Sequence, residues 1–154
     1  MSAIMEAVTT FFAGQRWPWV RTDAPPALKV SSIGPEPRWE NYAQAKQGDQ
    51  VFVYYSVCPV QAPPERRAIV ATFLCHVNFA LLVGAWEMDV DDGEIRFRTS
   101  VDLQGDALTE ASIARTVIHN HDVMLTWLPS LLDVVSGAQT PQAAYQAGRE
   151  AEGD

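Results

Sequence analysis

The stretch Trp86-Glu87-Met88-Asp89-Val90-Asp91-Asp92-Gly93-Glu94-Ile95-Arg96-Phe97-Arg98-Thr99 decides the fold class. On either side of Asp92-Gly93, apolar and polar residues alternate, as they do in strands with one buried face. An Asp-Gly pair between such runs is the signature of a two-residue type I′ turn, whose central residues both take positive φ. That turn sets the register by arithmetic. Val90 falls opposite Ile95, Met88 opposite Phe97 and Trp86 opposite Thr99 on one surface; Asp89 falls opposite Arg96 and Glu87 opposite Arg98 on the other. Apolar side chains then meet apolar ones and acids meet bases, each cross-strand pair contributing roughly 0.2–1 kcal/mol. A slip of a single residue would ruin both surfaces together. An antiparallel hairpin is predicted, and with it an antiparallel sheet.

Working outward, residues 50–58 are β-branched and aromatic and read as a strand. Val51, Val53, Tyr55 and Val57 take one face, Phe52 and Tyr54 the other. If helices cover only the first face, Phe52 and Tyr54 form an apolar patch that needs a cover. Two earlier strands are expected at 28–33 and 38–46, separated by the turn Gly34-Pro35-Glu36-Pro37. The segment from Trp17-Pro18-Trp19 to Pro25-Pro26 reads as a stiff connector.

Helical spacing appears in several places. Ile4, Val8, Phe11 and Phe12 share a face in a short helix closed by Gly14. A second helix opens at Pro63-Pro64-Glu65, carries the stripe Val70, Phe73, Leu74, Val77 and Leu81, and ends at Gly84. Phe79 and Val83 point away from that stripe, so its second half is expected to be buried on more than one face. A long helix runs from an N-cap at Thr109 to Gly137, with Ile113, Val117, His121, Met124, Leu125, Leu128, Leu132 and Val135 as its stripe and a kink expected at Pro129. Thr140-Pro141 starts one more short helix, and an acidic, mobile tail is expected beyond Gly148. The order α-β-β-β-α-β-β-α makes an α+β fold in which an antiparallel sheet of about five strands is packed by helices. Residues 1–137 form the domain; 138–154 are the short helix and acidic tail.

At 154 residues and 47% hydrophobic, the chain can form one core without disulfide or metal. Its 19% of charged residues is below the roughly 25% of a soluble domain, which leaves apolar surface for a partner or second copy. A net charge of −8 with 11 scattered basic residues argues against nucleic acid and anionic membranes as partners. No stretch approaches the ~18 apolar residues of a membrane span. Met1 to Gln15 lack the charge and apolar core of a signal peptide, so a cytoplasmic location is expected. Cys58 and Cys75 belong to no CxxC pair and are expected to be buried thiols.

Catalytic patterns are missing from the sequence. Residues 89–94 resemble a calcium loop superficially, but an EF-hand needs Gly at its sixth position and Glu at its twelfth, where Glu94 and Ser100 stand. His119 and His121 are two apart, so on a helix they diverge and cannot share an ion. His119 is expected at the surface, His121 as a hydrogen-bonded core or interface residue, and His76 on an outer part of its helix. Neither a GxSxG elbow nor a phosphate-binding glycine pattern is present. No catalytic residue, metal ligand or cofactor is therefore expected. The candidate binding residues are aromatic: Trp17, Trp19 and Trp39 in proline-rich or edge-like segments, with Phe52 and Tyr54. Trp86 and Trp127 belong to core patterns.

From Gln50 onward the chain also resembles the bacterial YbjN family. The resemblance rests on Val53-Tyr54-Tyr55-Ser56 followed by Pro59, Pro64-Glu65-Arg66-Arg67, His76-Val77-Asn78 before Gly84, Met88-Asp89 running into Asp92-Gly93-Glu94-Ile95-Arg96-Phe97-Arg98, then Leu108-Thr109 and Trp127-Leu128-Pro129. The region before Gln50 departs from the family pattern. The resemblance implies a fold similar to type III secretion chaperones, a loosely described role in sensory-transduction regulation, and no catalytic residues. Asn78, at a family position, is expected to be a hydrogen-bonded polar group at the helix edge.

Residues and resemblance together predict a non-enzymatic, chaperone-like interaction or regulatory domain that binds a protein partner through an aromatic sheet face. The alternative is a small-molecule or peptide sensor using that patch as a pocket. A homodimer with Phe52 and Tyr54 near the covered surface is expected.

Overall fold

A computed structural model describes residues 2–153. Helix α1 (Ala3–Ala13) is followed by strands β1 (Trp19–Asp23), β2 (Pro26–Ser31), β3 (Glu40–Lys46) and β4 (Val51–Val57), then helix α2 (Arg67–Ala80), strands β5 (Ala85–Met88) and β6 (Ile95–Asp102), and helices α3 (Glu110–Ser136) and α4 (Pro141–Gly153). The strands form one antiparallel sheet of six in the order β1-β2-β3-β4-β6-β5. The α+β class is as expected, with one strand more than anticipated.

That extra strand is β1, inside the segment read as a connector. Pro18 and Pro25 flank the run rather than interrupt it, and an edge strand needs donors on one side only. The Pro18 carbonyl still accepts from Ser31 N–H at 3.0 Å.

The hairpin β5–β6 keeps the predicted faces but not the predicted register. Met88 pairs with Ile95, Glu87 with Arg96 and Trp86 with Phe97, two residues away from the expected alignment. Only Gly93 of the Asp-Gly pair takes positive φ, at 81°, and Val90 lies in solvent instead of facing Ile95. The loop is longer than a two-residue turn because another segment holds it: Ala62 N–H donates to the Gly93 carbonyl at 2.8 Å, and Gly93 N–H to the Asp89 carbonyl at 2.7 Å. A shift of two preserves which side chains share a face, so the inside-outside pattern survives.

All helices stack on one side of the sheet. Phe12 of α1 stacks over Tyr54 with ring centroids 6.2 Å apart. One apolar cluster joins α1 to β2, β3, β4 and the first turns of α3; a second joins α2, α4 and the rest of α3 to Trp86, Ile95 and Phe97. Phe52 and Tyr54 therefore lie in the core, 0% and 1% exposed, and are not an open patch. Their cross-strand neighbours explain the choice of face. Ala43 opposite Tyr54 and Ala45 opposite Phe52 leave room for the two rings.

Thr109 caps α3 by accepting from Ser112 N–H, the helix continues through Pro129, and Gly137 ends it in a left-handed conformation. Leu125, placed on the buried stripe by spacing, is 55% exposed, whereas Asn120, Trp127 and Leu131 are buried in its stead. α4 runs on past Gly148, where a mobile tail was expected. It seats Gly148 against Trp127, at whose ring a Cβ would stand 2.2 Å away. α2 stops at Ala80, and its second half is not buried all round: Phe79 and Val83 are exposed. Beside it, Asn78 pairs with the main chain of Trp86, accepting from its N–H at 2.8 Å and donating to its carbonyl at 2.9 Å. Of the two thiols only Cys58 is buried, which pushes its pKa up to about 11; Cys75 is exposed.

Gly93 combines positive φ with a Cβ direction that ends 2.1 Å from the Ala62 carbonyl oxygen. Gly93→Val is therefore expected to destabilise the fold by at least ~2 kcal/mol, from backbone strain and the lost contact to Ala62. Chemical denaturation checks this, and an unchanged midpoint would contradict the described loop.

Candidate functional site: the uncovered face of the sheet

Strand alternation assigns the face that no helix covers. One row across it reads Val20, Lys29, Tyr42, Tyr55, Arg98 and Ala85; the next reads Ser31, Glu40, Val57, Arg96 and Glu87. Most of these side chains are half-buried by one another rather than by a second layer.

Charge on this face is organised around a single carboxylate. Glu87 Oε1 accepts from Arg96 Nε at 3.2 Å and from Arg98 Nε at 3.0 Å, with all three side chains about one-third exposed. Two guanidinium groups on one carboxylate leave a positive excess and unused planar donors. Arg96 also lies over the Tyr55 ring, 4.1 Å from its centroid, in a cation–π contact that holds the ring flat. The Glu40 carboxylate accepts from Ser31 Oγ at 3.1 Å. The result is a flat surface of tyrosine, valine and arginine, able to take up a partner by burial and directed hydrogen bonds.

The aromatic residues singled out by sequence are dispersed. Phe52 and Tyr54 are core residues; burial raises the Tyr54 pKa, and among the described residues no group bonds its hydroxyl. Trp19 is half-buried on the helical side of β1. Trp17 and Trp39 meet across His121 of α3, each ring centroid 5.2 Å from the imidazole. These two tryptophans hold the segment before β1 and the start of β3 to α3, on the side opposite the open face. His119 does not join His121: its Nε2 lies 3.0 Å from the Val83 carbonyl. Among the described residues no group of three or more His, Cys, Asp or Glu side chains is arranged to hold a metal ion. No helix among them is long and apolar enough to cross a membrane. Tyr42, Arg96 and Arg98 were missed as candidates. The signal for them was the alternation in 40–46 and 95–98, read only for what it buries.

Beneath the sheet, around Asn120, a set of buried polar groups satisfy one another. Asn120 donates from Nδ2 to the Tyr54 carbonyl (3.2 Å), the Phe97 carbonyl (3.3 Å) and Thr99 Oγ1 (3.1 Å). The Ser56 hydroxyl is shared between Asn120 Oδ1 and Asn41 Oδ1, the latter at 2.6 Å. Asn41 Oδ1 also accepts from Trp39 Nε1 at 2.9 Å. The set consists of neutral amides and hydroxyls joined into one network, an arrangement suited to fixing packing.

No family model matches the chain, and neither does any curated protein. Its fold is similar to the crystal structure of YbjN from E. coli, with a TM-score of 0.58 and 12% identity over 77% of this chain and 83% of that one. The fold is thus YbjN-like, as the resemblance implied.

Two outcomes test this arrangement. Asn120→Leu removes the bonds to the Ser56 and Thr99 hydroxyls and to the Tyr54 and Phe97 carbonyls and leaves Ser56 only its bond to Asn41, and a loss of about 2–4 kcal/mol is expected on denaturation. Burial lowers the His121 pKa, an effect larger than the opposing pull of Asp122. A depressed folded-state pKa means that the unfolded chain binds the proton more readily. Stability from this group is therefore complete above about pH 6.5 and is lost as pH falls through the folded-state value. The melting temperature should drop over that window, and less so in His121→Gln.

Proposed function

We propose that this chain is a non-enzymatic interaction or regulatory domain that binds another protein through the uncovered face of its sheet. The observation that carries the reading is the placement of every helix on one side, which leaves Tyr42, Tyr55, Val57, Arg96 and Arg98 facing out together. Tyrosine and arginine are the residue types enriched in binding hot spots, because they combine large contact area with directed hydrogen bonds. A ring held flat by Arg96 loses little entropy on binding.

Regulation fits the comparison as well. The YbjN structure is described as that of a candidate transcription regulator, which agrees with a regulatory role and leaves the binding mode open. The net charge of −8 favours action through protein contacts over direct contact with DNA. Against the sensor alternative stands the burial of Phe52 and Tyr54, which fill the space that an aromatic pocket would need. Against catalysis stands a buried polar network of amides and hydroxyls already engaged with one another.

A photo-crosslinking amino acid at Tyr42, introduced in the native cell, is expected to give a discrete adduct with a partner protein. The same group at Arg149, on the helical side, should give none. Arg98→Glu is expected to weaken the captured complex at least tenfold, about 1.4 kcal/mol. Equal adducts from both positions, or none from Tyr42, would overturn the reading.

A further inference from the structure

The open face of the sheet carries a charge opposite to that of the chain as a whole. Four of the 11 basic residues, Lys29, Lys46, Arg96 and Arg98, lie on it by strand alternation, against three of the 19 acidic ones, Glu40, Glu87 and Asp102. Four cations over three carboxylates leave a small positive excess on a chain of net charge −8. The excess has a definite place. One oxygen of Glu87, Oε1, accepts from Arg96 Nε and from Arg98 Nε. Among the described residues neither guanidinium makes another hydrogen bond, so the terminal N–H groups of both arginines are unused.

We propose that the partner of this face presents an acidic segment, one Asp or Glu carboxylate of which docks on Arg96 and Arg98 as the counterpart of Glu87. The inference rests on the reading that a protein binds here and adds what that protein must carry. Two guanidinium groups sharing one carboxylate are tolerated in water, which screens the extra charge. A partner strips that water away, and an unbalanced cation under an interface is then costly. A second carboxylate balances the set, two acids for two bases, and accepts the planar N–H pairs that Glu87 leaves open. An apolar side chain beside it in the partner lies on Tyr55 and Val57, which pair with Arg98 and Arg96 across the adjoining strand.

The charge count also selects among anions. A carboxylate brings the single negative charge that the set lacks. A phosphate group brings nearly two, and the surplus would face Glu87 and Glu94, which line the same depression as Arg96. A chain terminus is captured in a concave nest of main-chain N–H groups, whereas here the main chain is paired from strand to strand under a flat surface. An acidic side chain within a segment that runs on across the face meets both conditions.

Random short peptides displayed on phage and panned on the full chain supply the probe. The selected peptides are expected to carry Asp or Glu beside an aromatic or aliphatic residue, and fluorescent synthetic copies of them give the affinities. Glu87→Gln should tighten binding roughly threefold or more, because it leaves both arginines without their acid; Arg98→Gln should weaken binding by at least as much and flatten its salt dependence. Circular dichroism checks that each variant folds, and the loss of wild-type affinity with added salt is a readout that needs no variant. A residue that only supports the sheet would not tighten binding when its charge is removed. Selected peptides free of Asp and Glu, or binding that Glu87→Gln weakens or leaves unchanged, overturn this inference. It falls alone if a cross-linker at Tyr42 still captures a partner, and together with the function proposed for the face if Tyr42 captures none.

Discussion

The carboxamide of Asn120 holds this structure in one arrangement. It sits midway along α3, between the cluster that includes Ile113 and Val117 and the one that includes Met124, Trp127 and Leu131. Both clusters are greasy and would tolerate some sliding, because burial has little directional preference. The amide does not slide. Its bonds to two strand carbonyls, to Thr99 and to Ser56 fix how far α3 lies along β4 and β6 and which side it turns to them. A polar group buried this completely is tolerated only with its partners in place, so the network penalises neighbouring registers more than it adds stability to the correct one.

Once α3 is fixed, the two sides of the sheet acquire different roles. Phe52, Tyr54 and Ser56 must face inward, where Phe12 and Asn120 meet them. Tyr55 and Val57 must face outward. The helical layer closes laterally through α4, whose Gly148 accepts the Trp127 ring in place of a side chain, while the Trp127 indole N–H donates to Glu152 at 3.1 Å. One side is thereby spent on stability and the other is left available.

Local chemistry was legible in the sequence wherever a single element decides its own form. Thr109 as N-cap, Gly137 as terminator, the stripe Val70, Phe73, Leu74 and Val77, and the hairpin faces could all be read from spacing. What escaped depends on contacts with distant segments. The Asp92-Gly93 loop opens to six residues because Ala62 bonds to it, which no pattern in 86–99 discloses. Strand β1 forms because β2 offers an edge, against the composition of a proline-flanked run. The face of β4 was misassigned because valines and aromatics are equally suited to a core, and the deciding fact, alanine at 43 and 45, lies on the neighbouring strand. The candidate site follows the same logic: the tyrosines and arginines were visible, whereas which side lacked helices was not.

Asn78 carries a consequence for the sheet as a whole. A sheet can grow sideways wherever an outer strand leaves main-chain donors and acceptors vacant, and proteins that expose such borders risk stacking into fibres. At β5 the outward-facing N–H and carbonyl of Trp86 are both taken by one amide side chain, in the geometry that another strand would use. The helix thus imitates the next strand at this point and then turns away, and the ladder terminates. Lateral growth is stopped on that flank by a single residue, independently of how short or how charged the strand is.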